Sequence, residues 1–501
     1  MMDKSRIEVK RYISVCVGIF GLVFYGIILG FNIYAVALKE TFNYTQTELE
    51  YIAASGIVGS EITSYLTGIA VDRFGPRSTC VVAAILSSSC FALMWMATKF
   101  ISFFASRSWI MCLIYFMAAS GCCMNFLACM APISLNFKEN HRGKIVGFAS
   151  ATIGASPLIF TAIYQGFFVQ GHVTDEQNQH IGDFFVLLSI WAACAYSLCA
   201  AFLKIIPPED TSIALYLKGE GKDPSPCNDQ NDATNIETNI DHAIANLVNA
   251  NEGNETNQND NKLNDKTPLF QKDSDSKNNK PDSFNCKDIT CFQMMKTLKF
   301  HLLLWIAILI RGIGWTFAAN ITTMAKSAHL ETASAILLMI IPIANTLSRF
   351  FVGFIPDVLK QRFTWIPLSS SLLVASLLMM MGQTILIFFN QHLAALVCFC
   401  VMSSISCGFI STLVPIFIIE LFGMKEFSQK LGLVFTLVGI VAFPFAKIFG
   451  VIYEQNSPPS SNDCFGVHCS RWTYVSMAIL SFLSVALSAA LMKAEHKKHS
   501  S

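Results

Sequence analysis

Two ionisable residues stand about halfway along otherwise apolar runs, Glu61 and Arg311. Charge at that depth of a bilayer is expensive, so such residues are by default candidates for handling a solute, an ion or a proton. A guanidinium there suits a carboxylate or another anion, and a carboxylate suits a proton or a cation. The plainer alternative is that each is a structural partner, tied to the other or to backbone carbonyls. A second group, Asp72, Arg73 and Arg77, lies in Gly68-Ile-Ala-Val-Asp-Arg-Phe-Gly-Pro-Arg77 at the end of an apolar run. There the charges can form a cluster between helices, while Gly68 leaves room for a neighbouring helix and Gly75 permits a tight turn. Arg349-Phe-Phe-Val-Gly353-Phe-Ile-Pro-Asp357 repeats the Gly-x-x-x-Asp spacing. Cys464 and Cys469 cluster in Cys-Phe-Gly-Val-His-Cys outside the apolar runs, where a disulfide is chemically permitted on an external surface.

The elements that must position these groups are membrane helices. Of 501 residues, 53% are hydrophobic and 14% charged, against about 25% charged in ordinary soluble domains. Continuous apolar runs of about 20 residues, enough to cross a hydrocarbon core, recur along the chain. In lipid the backbone must bond itself, which selects helices, and the alternating pattern of a barrel is absent. Spans are expected near 12–33, 51–71, 78–97, 109–131, 145–168, 184–206, 301–321, 333–355, 365–389, 393–418, 429–450 and 472–492. The fold class is therefore an all-α polytopic membrane protein of twelve transmembrane helices. Residues 1–206 form the first six-helix bundle and 301–492 the second. Between them, 207–283 is Asn/Asp-rich and too polar to offset the entropy of ordering, so a disordered loop is expected. Residues 284–300 read as an interfacial helix, and 493–501 as a tail.

Lys and Arg concentrate in alternate loops, from Lys4, Arg6, Lys10 and Arg11 through Arg73 and Arg77 to Lys493 and Lys497. By the positive-inside rule both termini and the central loop are cytoplasmic. The first apolar run is long enough to span and lacks a small-residue cleavage site, so no cleavable signal peptide is expected. A net charge of +1 points to no nucleic-acid partner. Most of the seventeen cysteines lie in apolar runs and read as small packing residues, and no Cys/His spacing suggests a metal. Sequons at Asn43 and Asn320 sit close to the bilayer, and one at Asn254 falls in the central loop. Asp265-Lys-Thr-Pro-Leu-Phe resembles a sorting motif too degenerate to assign a plasma, endolysosomal or other intracellular membrane.

The Gly68–Arg77 string closely resembles the loop between helices two and three of the major facilitator superfamily. Its echo ending at Asp357 falls after the second span of the second half, as duplicated halves require. Asn136-Phe-Lys-Glu-Asn-His-Arg-Gly-Lys-Ile-Val-Gly147, continuing to Tyr164, resembles the nodulin-like branch near the monocarboxylate-transporter homologues. Asn32-Ile-Tyr-Ala-Val-Ala-Leu-Lys39 and Arg311-Gly-Ile-Gly-Trp-Thr-Phe-Ala-Ala-Asn320 match it too, whereas Phe148–Ala155 departs from its glycine-rich pattern.

That resemblance implies a cavity lined by spans one, four, seven and ten. Tyr25 and Asn32, Asn125, Trp315 and Asn320, and Ser403 and Ser406 are the groups available there for a substrate beside Arg311. Each has a competing structural reading: Tyr and Trp near helix ends form interfacial belts, and a lone Asn or Ser bonds a neighbouring helix. Asp72, Arg73, Arg77, Arg349 and Asp357 are expected to gate the cytoplasmic side, with loop charges that only set topology as the alternative. The function implied is gradient-driven alternating access by a monomer, moving a small solute such as a monocarboxylate or amino acid, with Glu61 allowing proton coupling. Alternatives are iron-related or vitamin cargo, or a sensor or scaffold that no longer transports. No phosphate-binding loop, nucleophile constellation or cofactor motif suggests an enzyme.

Overall fold

A computed structural model describes residues 2–169, 180–208, 288–362, 366–456, 465, 466 and 468–499. Its helices in the first half are α1 (Met2–Tyr25), α2 (Ala35–Phe42), α3 (Gln46–Ile62), α4 (Ser64–Ala97), α5 (Ile101–Ala105), α6 (Ser108–Leu135), α7 (Glu139–Phe167) and α8 (Ile181–Phe202). The second half contains α9 (Cys291–Met295), α10 (Leu298–Ser327), α11 (Ser334–Val352), α12 (Phe354–Arg362), α13 (Ser370–Phe389), α14 (Leu393–Phe422), α15 (Phe427–Asn456) and α16 (His468–His499). The expected disordered loop and the motifs at Asn254 and Asp265 fall outside the described residues.

Among those residues, nine helices are long and apolar enough to cross a membrane, and Phe427–Ala442 of α15 is a shorter apolar stretch. The first two passes complete the twelve: α1, and a second pass made of α3 and the start of α4. Glycines mark where these helices differ from simple rods. Gly75, at φ 81°, reverses the chain within α4 ahead of Pro76, so its two ends belong to the second and third passes. Span one was expected to reach residue 33, but the helix stops at Tyr25 and continues through a 3-10 turn at Phe31–Ile33. The Ser156 hydroxyl donates to the Val23 carbonyl there, and Gly26 lies directly against Ser156, a close approach that a side chain at 26 would block.

One face of the bundle carries the first turns of α1, the ends of α8 and the base of α14. Arg11 donates to the carbonyls of Ile206 and Pro207 at 2.8 Å each, and Arg77 donates to Leu203 at 2.7 Å. The Ser369 hydroxyl donates to Glu495 at 2.6 Å, placing the end of α16 on the same side. We call this the terminal face. At the opposite face α3 begins with a reciprocal cap. The Glu48 amide donates to the Thr45 hydroxyl, and the Thr45 amide donates back to Glu48 Oε2 at 2.9 Å.

The halves repeat in register. Residues 72 and 357 differ by 285 positions, as do 68 and 353, 147 and 432, and 154 and 439. The structural roles follow the same shift. Gly68 lies against the Ser428 carbonyl, and Gly353 against the Gly143 carbonyl and the Gly147 backbone; Gly432 lies against Ser64, and Gly147 against Gly353 and Arg349. Two seams result, α3/α4 against α15 and α11/α12 against α7, each closed by glycines that let backbones meet.

Candidate functional site

The centre of the molecule is built where these seams reach mid-depth. Glu61 is the penultimate residue of α3, just before the helix breaks at Thr63. The Thr436 hydroxyl of α15 donates to the Glu61 carbonyl at 2.8 Å, and Gly439 lies against its side chain, so the carboxylate is held by both halves. Arg311, from α10, donates through Nη2 to Glu61 Oε1 at 3.3 Å, and the two side chains are 15% and 8% exposed. Among the described residues, Glu61 Oε2 is buried without a hydrogen-bond partner.

The Arg311 guanidinium is also packed against rings. It lies 4.7 Å from the centroid of Trp315, one turn along α10, and 5.0 Å from that of Phe435. Phe435 packs on Phe126 at 5.7 Å, and Phe126 stacks on Tyr25 at 4.6 Å. An aromatic wall thus runs from the first half to the second, with the guanidinium in it.

A second guanidinium enters from the other seam. Arg349 of α11 is half-buried and donates to Asn345 Oδ1 at 2.6 Å, the Ser150 carbonyl at 3.3 Å and the Ser411 hydroxyl at 3.4 Å. Thr412 fixes the Ser150 hydroxyl at 3.1 Å. All these acceptors are neutral oxygens. Arg349 lies within Coulombic range of Arg311, Cys407 and Tyr25, so both cations face the same central region. Arg349 was expected at the gate, but it stands eight residues before Asp357, roughly 12 Å along a helix at 1.5 Å per residue.

Of the expected binding residues, Tyr25 and Trp315 join Arg311. Others turn into the packing of their own half. Ser406 donates to the Ala375 carbonyl at 2.7 Å, and Asn125, fully buried, accepts from Cys80 at 3.4 Å. Asn320 donates to Thr316 one turn back at 2.7 Å; Ser403 is buried, and Asn32 is exposed in the 3-10 turn.

Toward the terminal face the seams close on two carboxylates. Asp72 accepts from the backbone amides of Ser428 at 3.3 Å and Gln429 at 2.8 Å, at the start of α15. Asp357 accepts from those of Gly143 at 3.2 Å and Lys144 at 3.1 Å, at the start of α7. Each aspartate therefore crosses the halves to backbone amides near the N-terminal end of a helix, Asp72 to the first turn of α15 and Asp357 to the second turn of α7, where the helix dipole favours negative charge. An ion cluster of Asp72 with Arg73 and Arg77 was expected instead. Arg77 is committed to Leu203 of its own half and Arg73 is exposed, because the nearest donors to Asp72 are the amides of the partner helix.

Sequence reasoning missed several contributors. Arg142, 2% exposed, donates to the carbonyls of Ser134 at 2.9 Å and Phe137 at 3.3 Å and lies 3.7 Å from Glu420 of the other half. Phe126 and Phe435 carry no signal within apolar runs. Ser428 and Gln429 were findable, since the shift of 285 carries 143 and 144 onto them. Among the described residues no group of three His, Cys, Asp or Glu is set to hold a metal ion. Cys469 is disulfide-bonded, and Cys464 lies outside the described residues.

The family model for the Major Facilitator Superfamily matches residues 14–446. A double-tryptophan variant of XylE superposes with a TM-score of 0.60 at 15% identity, covering 98% of this chain and 99% of that one. The proton:xylose symporter XylE bound to 6-bromo-6-deoxy-D-glucose gives 0.57 at 14% identity, covering 95% of each. The N162A variant of the E. coli fucose:proton symporter FucP gives 0.54 at 11% identity, covering 96% of this chain and 99% of that one. No curated protein matches the sequence.

Proposed function

We propose that this chain, which belongs to the major facilitator superfamily, uses its central cluster to carry a small organic anion across the membrane. Secondary transport is the function its family supports. The observation that carries the finer reading is a charge count. Among the described residues, the centre holds two guanidiniums, Arg311 and Arg349, and one carboxylate, Glu61. One positive charge is left over at the centre, which favours an anion such as a monocarboxylate. Arg349 is the better first anchor, since its acceptors are neutral oxygens that a carboxylate can replace, whereas Arg311 is already bonded to Glu61.

Glu61 supplies the coupling in this reading. Protonation of its carboxylate frees Arg311 for the substrate, so proton and anion arrive together. In the described conformation both seams are zipped toward the terminal face, so access to the site is from the other side. Transport requires the amide contacts of Asp72 and Asp357 to break and the halves to rock about the centre. With the terminal face cytoplasmic, as the loop charges favour, this is an outward-facing state. The same proposal extends to the nodulin-like branch, for which the match from Asn136 to Tyr164 is the support.

Uptake into proteoliposomes, measured for monocarboxylates, amino acids, sugars, vitamins and iron complexes with and without a pH gradient, tests this. Saturable, acid-stimulated uptake of a monocarboxylate is the expected result. Preference for a neutral sugar sinks the charge argument, and binding without flux under every gradient favours a sensor.

A further inference from the structure

The turn that supplies the amides for Asp72 is held from a second direction. It runs from the end of α14 at Phe422 to the start of α15, passing through Gly423 at φ 79° and Glu426 at φ 52°. A non-glycine residue at positive φ is disfavoured, so this shape needs outside support. Residues 288–291, just before α9, provide it. Asp288 Oδ1 accepts from the Met424 amide at 2.7 Å and the Lys425 amide at 3.4 Å. Ile289 donates to the Phe422 carbonyl at 3.3 Å, and Glu426 Oε2 accepts from the Cys291 amide at 2.7 Å.

The support is buried and locally organised. Cys291 is 1% exposed, and burial pushes its thiol up to about 11. Thr290 and Gln293 form a reciprocal cap that fixes the first turn of α9. Beneath the turn, Lys430 donates to the Phe422 carbonyl at 2.8 Å. Asp72 lies within Coulombic range of both Cys291 and Lys430, so the strap and the seam are one neighbourhood.

Among the described residues, the corresponding turn of the other half is held by other contacts. Shifted by 285, the turn becomes residues 137–144, where Arg142 donates to the Phe137 carbonyl as Lys430 does to Phe422. There Phe137 packs on Tyr12 of α1, at 5.6 Å between rings, and α1 runs on as one unbroken helix. In the second half, Lys296 and Thr297 separate α9 from α10, so residues 288–295 hold the turn as a separate piece.

We propose that residues 288–291 are a strap that holds the 422–429 turn in the shape that caps Asp72, so that releasing the strap loosens the α4–α15 seam and leaves the α7–α12 seam closed. The strap stands where the polar segment between the halves rejoins the membrane part. The link from seam to transport rests on the gating reading above.

Peptide-resolved hydrogen exchange on the full chain in nanodiscs tests the strap. In Asp288→Ala, exchange at the Ser428 and Gln429 amides should rise about fivefold, the factor that corresponds to a cap worth about 1 kcal/mol, while Gly143 and Lys144 stay unchanged. Asp72→Ala serves as the positive control for those two amides, and Glu426→Gln repeats the test should Asp288→Ala not fold. Unchanged protection at 428 and 429 in the strap variants, or equal loss at 143 and 144, overturns the proposal. Flux measured on the same variants separates the two claims. Selective loss of protection without any change in flux keeps the strap and removes this seam from the gating reading.

Discussion

Arg311 and Glu61 meet at 3.3 Å although one belongs to the second half of the bundle and the other to the first. The pair is a bond between the two halves of the chain, at the centre proposed above to bind substrate. Its two members therefore make separable predictions.

Glu61→Gln keeps the shape and removes the charge. Stimulation of uptake by an acid-side pH gradient should disappear, while substrate exchange at equal pH persists. Counterflow and gradient-driven uptake in the same proteoliposomes check this, and full retention of pH stimulation would take Glu61 out of coupling.

Arg311→Lys keeps the charge but loses the planar group packed against Trp315 and Phe435. Losing that packing and the geometry toward Glu61 should weaken substrate affinity by about tenfold, equivalent to about 1.4 kcal/mol. Competition binding with the identified anion measures it.

Gly353→Ala should open the seam at α7. A Cβ there would lie 2.5 Å from the Gly147 Cα, and backbone cannot yield as a flexible side chain does. Overpacking of this kind costs about 1–3 kcal/mol, which shifts the balance of conformers by about 5- to 150-fold. Cys407, half-buried in the centre, reports the shift. Its labelling by an impermeant thiol reagent from the terminal side, resolved by mass spectrometry, should accelerate.

Arg142→Ala should be destabilising without touching the substrate site. It removes a buried cation that satisfies the Ser134 and Phe137 carbonyls and approaches Glu420. A loss of about 3–5 kcal/mol is expected for breaking such a buried arrangement. Thermal unfolding in detergent should show a large drop in midpoint, with substrate affinity at low temperature retained.

At the face opposite the termini, Glu48 accepts from the Thr45 amide and from the hydroxyls of Ser108 and Thr45, and these bonds hold its carboxyl below its usual range. A depressed folded pKa contributes stability above the unfolded value, and that stability is lost as pH falls through the folded pKa. Hydrogen exchange in residues 45–48 should therefore accelerate on acidification into the carboxylate range, and Glu48→Gln should flatten that dependence.

Much of this architecture was legible in one dimension because a bilayer imposes a one-dimensional rule: enough consecutive apolar residues to bond their own backbone across it. Composition and run length determined a twelve-helix chain, and the Gly68–Asp72 and Gly353–Asp357 spacings determined two related halves. Glu61 and Arg311 stood out because charge in an apolar run is costly wherever it occurs. Partnership between helices obeys no such rule, since it depends on rotation and on which surfaces face inward. Only the tertiary structure decided that Asp72 and Asp357 take backbone amides of the opposite half instead of pairing with Arg73 and Arg77, and that Arg349 stands beside Ser150 and Ser411. It likewise turned Asn125 and Ser406 into the packing of their own halves. Phe126 and Phe435 are indistinguishable from their apolar neighbours until two helices bring them against the same guidinium-bearing wall at Arg311.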